Sequence, residues 1–247
     1  MPEGALPASV LEVEGLVTYR GPAQVLRGVA LQVGPREAVC LVGRNGAGKT
    51  TTMESIMGLL PVRSGRVRFQ GREITRLDPS ERARLGLGYA PEDTGVFPEL
   101  TVAENLALGL WLGAARRGRQ GRDGEERESR IYELFPELRS LRERRGLHLS
   151  GGEKKMVAIA RAMALDPAVL LLDEAFEGLA PVVVRRFADA VARIKEMGIS
   201  LLIAECNLAT ASLVADRLYI LDRGEVVFCG TPAEVFRDEE ALRTVRG

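Results

Sequence analysis

The stretch LVGRNGAGKTT, Leu41 to Thr51, closes the apolar run Ala38–Val42 and decides the fold class. It fits G-x-x-x-x-G-K-[ST] through Gly43, Gly48, Lys49 and Thr50, with a strand expected before it and a helix after it. Successive backbone N–H groups across Gly43, Arg44, Asn45, Gly46, Ala47, Gly48 and Thr51 can form a nest for phosphate oxygens. Lys49 reaches the outer phosphates as a point charge. Thr50 offers Mg²⁺ a small oxygen, which suits an ion that keeps most of its waters. Further along, VLLLDEAF puts Asp173 and Glu174 at the carboxyl end of a second apolar strand, the edge at which open α/β sheets bind ligands. Asp173 is expected to hold a water on Mg²⁺, and Glu174 to polarise an attacking water. Standing alone, such a pair reads as exposed strand-end carboxylates; a phosphate loop beside it turns the reading towards chemistry.

Three apolar runs, Ala38–Val42, Val169–Leu172 and Ile199–Ala204, lack alternation and predict strands covered on both faces, as in a parallel sheet. LEVEGL (Leu11–Leu16) and RVRFQG (Arg66–Gly71) alternate, and RLYILDRGEVVFCG predicts a hairpin turning at Asp222–Gly224. Thr101–Leu112 and Ser129–Arg145 are expected to be helical. Between them the Gly- and Arg-rich segment 113–128 is read as a mobile solvated loop, because interspersed acids and missing aromatics argue against a nucleic-acid patch.

The bulk numbers set limits. A chain of 247 residues suits one large domain, and 34 Lys+Arg against 34 Asp+Glu leaves no net charge to attract nucleic acid or an anionic membrane. Three cysteines without disulfide or metal spacing suit a reducing cytoplasm. The start shows neither basic n-region nor apolar h-region, and no apolar run nears the ~18 residues of a membrane span. Direct membrane insertion is not expected; a membrane role would come through a partner.

LHLSGGEKKM, Leu147 to Met156, poses a separate question. Ser150 and Glu153 form a capping box, and Met156, Val157, Ala160, Met163 and Ala164 mark one face of a helix that Asp166-Pro167 ends. Gly151 and Gly152 nevertheless occupy its first turn. One reading is a capped surface helix with a flexible entry. The other is close approach of an anion to the unpaired N–H groups of the helix end.

The phosphate loop, LSGGE (Leu149–Glu153) and LLLDE (Leu170–Glu174), in that order, resemble the ABC-type ATPase subunits, and the resemblance spans almost the whole chain. YAPEDTGVFPELTVAENL (Tyr89–Leu106), LSGGEKKMVAIARAMA and EGLAP (Glu177–Pro181) are similar to the ATP-binding subunits of branched-chain amino-acid importers. The resemblance implies a P-loop NTPase α/β fold over residues 9–247. Its parts would be a RecA-like, mainly parallel sheet core, an antiparallel β subdomain and an α-helical subdomain near 95–160. It implies ATP and Mg²⁺ as cofactors, with Glu92 joining Thr50 and Asp173 at the metal and Tyr19 stacking on adenine. The implied partners are a second ATP-binding subunit, identical or not, and transmembrane permeases, which would place the chain on the inner face of the cell membrane. It also implies a head-to-tail pair, in which Ser150, Gly151, Gly152 and Glu153 of one chain meet the γ-phosphate held by the other.

Some positions depart from the family pattern. Cys206 stands where most members have a histidine that reaches the γ-phosphate. A thiol is a weak donor, so that contact would weaken; the alternative is a cysteine that merely packs at a strand end. Ala175-Phe176 stands where the family usually has Pro followed by a small polar residue, and Ala180 where it commonly has Asp in the loop that touches the partner. His148, the single histidine, is read as structural, beside the helix cap. Two functions follow: an importer motor that hydrolyses ATP, or a weakly hydrolysing partner in an asymmetric complex. Urea, amides and other amino acids stay open as solutes.

Overall fold

The computed structural model describes residues 9–117 and 122–246. In chain order the elements are β1 (Leu11–Arg20), β2 (Ala23–Val33), β3 (Ala38–Val42), α1 (Lys49–Met57), β4 (Val62–Phe69), β5 (Arg72–Glu73), α2 (Pro79–Leu85) and β6 (Leu87–Ala90). Then come α3 (Val102–Arg117), α4 (Arg122–Leu134), α5 (Pro136–Ser140), α6 (Gly151–Ala164), β7 (Val169–Asp173) and α7 (Pro181–Glu196). The chain closes with β8 (Ser200–Glu205), α8 (Leu208–Val214), β9 (Arg217–Asp222), β10 (Glu225–Gly230), α9 (Pro232–Val235) and α10 (Glu239–Arg246).

Two sheets result, one antiparallel in the order β2-β1-β4-β5 and one in the order β10-β9-β3-β8-β7-β6. In the second, β9, β3, β8, β7 and β6 run parallel, and β10 adds an antiparallel edge through its hairpin with β9. The absence of alternation in the three apolar runs has a direct cause. Ala38, Cys40 and Val42 of β3 face a core shared with the helices, while Val39 and Leu41 face a core shared with the antiparallel sheet. Leu170 and Leu172 against Val169 and Leu171 divide β7 in the same way. A strand with a core on each face has no position left for a polar residue.

Segment 113–128 differs from the expected loop. Residues 113–117 continue α3 and residues 122–128 lie in α4; the rest of the predicted loop, 118–121, lies outside the described residues. Gly113 is a packing residue: a Cβ there would stand 2.7 Å from the carbonyl oxygen of Ala164, so its absence lets α3 lie against the end of α6. In α4 the charges pair along the helix, Arg130 with Glu126, while Ile131 and Tyr132 are buried. The helix expected over Ser129–Arg145 is likewise two helices, the second ending at Ser140, and residues 141–145 are not helical. Pro136 keeps Phe135 out of the helical region (φ −124°, ψ 72°) and opens α5 at its first position.

Candidate functional site

The loop between β3 and α1 lies at the carboxyl edge of the parallel sheet. Gly48, at φ +111°, turns the chain into α1 through a conformation that side chains disfavour, so the first N–H groups of the helix point into an open cleft. This cleft, of about 1170 Å³, is walled by Asn45, Gly46 and Gly48 to Thr51 on one side and by Tyr89, Glu92, Asp173 and Glu174 on the other. Lys49 is buried; its ammonium donates to the carbonyls of Gly43 (2.9 Å) and Arg44 (3.3 Å) and lies 3.2 Å from Glu174 Oε1. A fixed cation, a ring of N–H groups and an open floor make an arrangement that can hold a polyphosphate.

Asp173 ends β7. Thr50 Oγ1 donates to its Oδ1 at 3.3 Å and Tyr89 donates to its Oδ2 at 3.4 Å. Burial pushes the Asp173 carboxyl up to about 6 despite these donors. A buried carboxylate beside a hydroxyl, facing a phosphate nest, is a donor set that fits a hard cation carrying its own charge.

Glu174 has left-handed backbone (φ +49°), which costs a residue with a Cβ about 1–2 kcal/mol. Both of its backbone groups are held. The N–H donates to the carbonyl of Ala204 on β8 at 3.0 Å, and the carbonyl accepts from the Lys155 ammonium at 2.6 Å. The turn aims the side chain at Lys49. Burial raises the carboxyl, but the hydrogen bond with Glu177 and the Lys49 charge outweigh it and leave Glu174 below its ordinary value. That same hydrogen bond raises Glu177. Glu92, exposed, groups its carboxylate with those of Glu174 and Glu177, all within 4.8 Å of one another. Asp173 and Thr50, its expected companions, are joined to each other.

The opening turn of α6 lies apart from this cleft. Ser150 Oγ accepts from the N–H of Glu153 at 3.3 Å and Glu153 Oε2 accepts from the N–H of Ser150 at 2.7 Å, so the capping box forms. A Cβ on Gly151 would meet nothing within 4 Å, and one on Gly152 only the tip of Leu179 at 3.4 Å. Packing inside this chain does not require either glycine.

None of Tyr19, Cys206, Phe176, Ala180 and His148 lines the cleft. Tyr19 is exposed at the end of β1, opposite Gln24, and the cleft is lined near it by Arg20 and Val25. Cys206, half-buried after β8, turns its thiol to Glu205 Oε1 at 3.5 Å; the same oxygen accepts from the N–H groups of Cys206 (2.9 Å) and Asn207 (3.1 Å). Phe176 is buried edge-on to Phe187, with ring centres 5.9 Å apart, so its departure from the family pattern serves the core. Ala180 begins α7 without a side-chain cap. His148 is exposed in a short 3₁₀ turn before the cap of α6.

Sequence reasoning missed three buried or half-buried cations. Arg82 caps the end of α1 through the carbonyls of Ser55 (2.9 Å) and Ile56 (2.7 Å). Arg161 of α6 donates to Gly95 at 2.6 Å and lies over the ring of Phe97. The third is Lys155.

The nest, the fixed lysine and the strand-end acids at the edge of a parallel sheet define a P-loop nucleotide triphosphatase of the α/β class. Residues 26–177 match the ABC transporter family, and the chain belongs to it. The chain is 35% identical to the high-affinity branched-chain amino acid transport ATP-binding protein BraG of Pseudomonas aeruginosa, over 91% of this chain and 94% of that one. It is 36% identical to the lipopolysaccharide export system ATP-binding protein LptB of Escherichia coli, over 93% of each. Among solved structures, the ADP conformation of an ATP-binding cassette of an ABC transporter superposes with a TM-score of 0.83 at 28% identity, covering 97% of this chain and 99% of that one. The chain is therefore an ABC ATPase subunit whose hydrolysis is coupled to transport. Among the described residues, no helix is long and apolar enough to cross a membrane.

Proposed function

We propose that ATP closes a head-to-tail pair of cassettes, and that hydrolysis reopens it to drive branched-chain amino-acid import. Gly43–Thr51 hold the phosphates, Thr50 and Asp173 hold Mg²⁺ with Glu92 at its edge, and Glu174, ionised and aimed inward, takes the proton of the attacking water. Bound there, Mg²⁺ supplies charge neutralisation at the phosphates. Ser150 to Glu153 serve the nucleotide of the facing chain. One observation carries this reading: the glycine pair opens a capped helix, outside its own chain's cleft, with open space where a Cβ of Gly151 would stand. A large group can approach there only from another molecule. Glu174→Gln tests it directly, because it removes the base and leaves the binding contacts. Size exclusion with Mg²⁺-ATP should show a dimer, with itself or with its natural partner. Monomer under both conditions overturns the reading.

The choice of solute rests on Pro91-Glu92 and EGLAP, which resemble the amino-acid importer subunits, and on the likeness to BraG. The comparable likeness to LptB favours a second reading, a motor for lipid export through a permease pair. In both readings the chain sits on the inner membrane face, bound to permeases. Identifying the permeases that co-purify with the full chain decides between them.

A further inference from the structure

We infer that Lys155 is a positioning residue for the hydrolytic reaction, clamping the turn that aims Glu174. The inference rests on the reading of Glu174 as the base. The ammonium donates to the carbonyl oxygens of Glu174 (2.6 Å) and Glu177 (2.7 Å), which are the two ends of one turn. Inside that turn the N–H of Glu177 donates to the carbonyl of Glu174 at 3.2 Å, and Gly178 follows at φ +71°. The clamped residue is the one whose left-handed backbone determines where its carboxylate points. A backbone in a disfavoured conformation persists only where its surroundings over-determine it, and here the surroundings are Ala204 on one side and Lys155 on the other.

A charge pair does not explain the placement. Lys155 bonds two carbonyls and no carboxylate, although carboxylates of Glu177, Glu205, Glu174 and Glu92 all bear on it. Three donors on a flexible stem allow one side chain to span both carbonyls. Lys155 also stands one helical turn beyond Gly151 in α6. A displacement of the glycine end of α6 therefore reaches the Glu174 backbone through a single side chain. In a head-to-tail pair, a γ-phosphate bound on the facing chain would bear on this chain's own base.

The test compares steady-state ATPase and nucleotide affinity of the full chain with its partner subunits. Lys155→Met keeps the stem and removes every donor. The expected result is ATP affinity within twofold of the parent and turnover at least tenfold lower. Lys155→Arg, which restores a donor, should recover a large part of that turnover. Parental turnover in Lys155→Met, or affinity that falls as far as turnover, overturns the inference. Should Lys155→Met fail to fold, Lys155→Gln, which retains a shorter donor, is expected to show severalfold lower turnover at parental affinity; full turnover there overturns it equally. Combining Lys155→Met with Glu174→Gln should still give the ATP-dependent dimer, and turnover in the double variant should fall no further than in Glu174→Gln alone. An additional loss would place Lys155 outside the Glu174 pathway. If Glu174→Gln by itself neither dimerises nor loses turnover, the reading of Glu174 fails, separately from the result for Lys155.

Discussion

Helix α1 starts behind Gly48 and helix α6 starts with Gly151, and the two starts have opposite surroundings. At α1 the glycine is demanded from within, by a φ of +111° and by Leu26, whose Cδ2 would stand 2.9 Å from an added Cβ. Its helix end opens on a cleft already furnished with Lys49, Asp173 and Glu174. At α6 nothing among the described residues demands the glycine; Arg144 lies 3.7 Å from Glu153 of its capping box, but Lys49 and the strand-end acids belong to the other cleft. One helix end is a site. The other has a capped helix end and none of the walls, which under the proposed head-to-tail pairing makes it half of a shared site.

The largest expected effect tests the complete half. Lys49→Ala removes the fixed positive charge from the floor of the nest and leaves Glu174 without its ion-pair partner. ATP affinity should fall by orders of magnitude and turnover should vanish; equilibrium binding of ATP and a phosphate-release assay measure both. Gly151→Asp tests the other half. Monomeric ATP affinity should stay within twofold of the parent, while the ATP-dependent dimer and hydrolysis are lost, because a carboxylate would face a phosphate across the interface. An affinity loss as large as that of Lys49→Ala would mean that α6 serves its own cleft, and the contrast between the helix ends would collapse.

The same contrast shows what a sequence can reveal. The furnished half was legible because its residues are few in kind and fixed in spacing: Gly43, Gly48, Lys49 and Thr50 after a buried strand, Asp173 and Glu174 at the end of another. Strands β3, β7 and β8 were legible for the same reason, since burial on two faces permits only one composition. Segment 113–128 misled because glycine and arginine are loop residues by frequency, while here Gly113 serves close packing and α4 is held by a charge pair and by the buried Ile131, Tyr132 and Leu134. Lys155 and Arg161 were invisible because a long cation on a helix reads as a solvated face. Only the folded chain shows that each ends on backbone carbonyls of a loop distant in sequence.

A smaller effect concerns Asp173, the acid of the furnished cleft. Its folded value of about 6 lies above the ordinary 3.8 of an unfolded chain, so the nucleotide-free protein holds more protons than the unfolded chain between these values. Stability from this group is therefore greatest below about pH 4 and declines as pH rises through about 6. Asp173→Asn, which cannot ionise, should raise the melting temperature of the nucleotide-free protein at pH 7.5 and raise it much less at pH 4.5. Under the proposed role of Asp173 at the metal, Mg²⁺-ATP binds the ionised form, so affinity for it should weaken as pH falls through about 6. A melting difference independent of pH would show that Asp173 is not the burdened carboxylate of the cleft.

The smallest expected effect is at Cys206, where the cleft lacks a feature its family usually has. The thiol is raised by burial and then by the charge of Glu205, towards which it turns. It is a weak donor, and it is occupied by Glu205 Oε1 at 3.5 Å. Glu205 is itself buried, and its second oxygen, Oε2, has no hydrogen-bond partner among the described residues. An imidazole at 206 could donate one N–H to that carboxylate and turn the other nitrogen towards the cleft, which would orient the ring as an acid orients histidine elsewhere. Turnover of Cys206→His should then rise, but by roughly tenfold at most, far below the ~10²–10³ that a well-placed donor is worth where the whole shell is built for it. Cys206→Ser, with a stronger donor in the same direction, should change turnover little. Melting temperatures measured alongside separate a chemical effect from a packing effect. A folded Cys206→His protein with unchanged or lower turnover would show that Glu205 keeps the segment for a structural purpose, and that the missing histidine does not limit this motor.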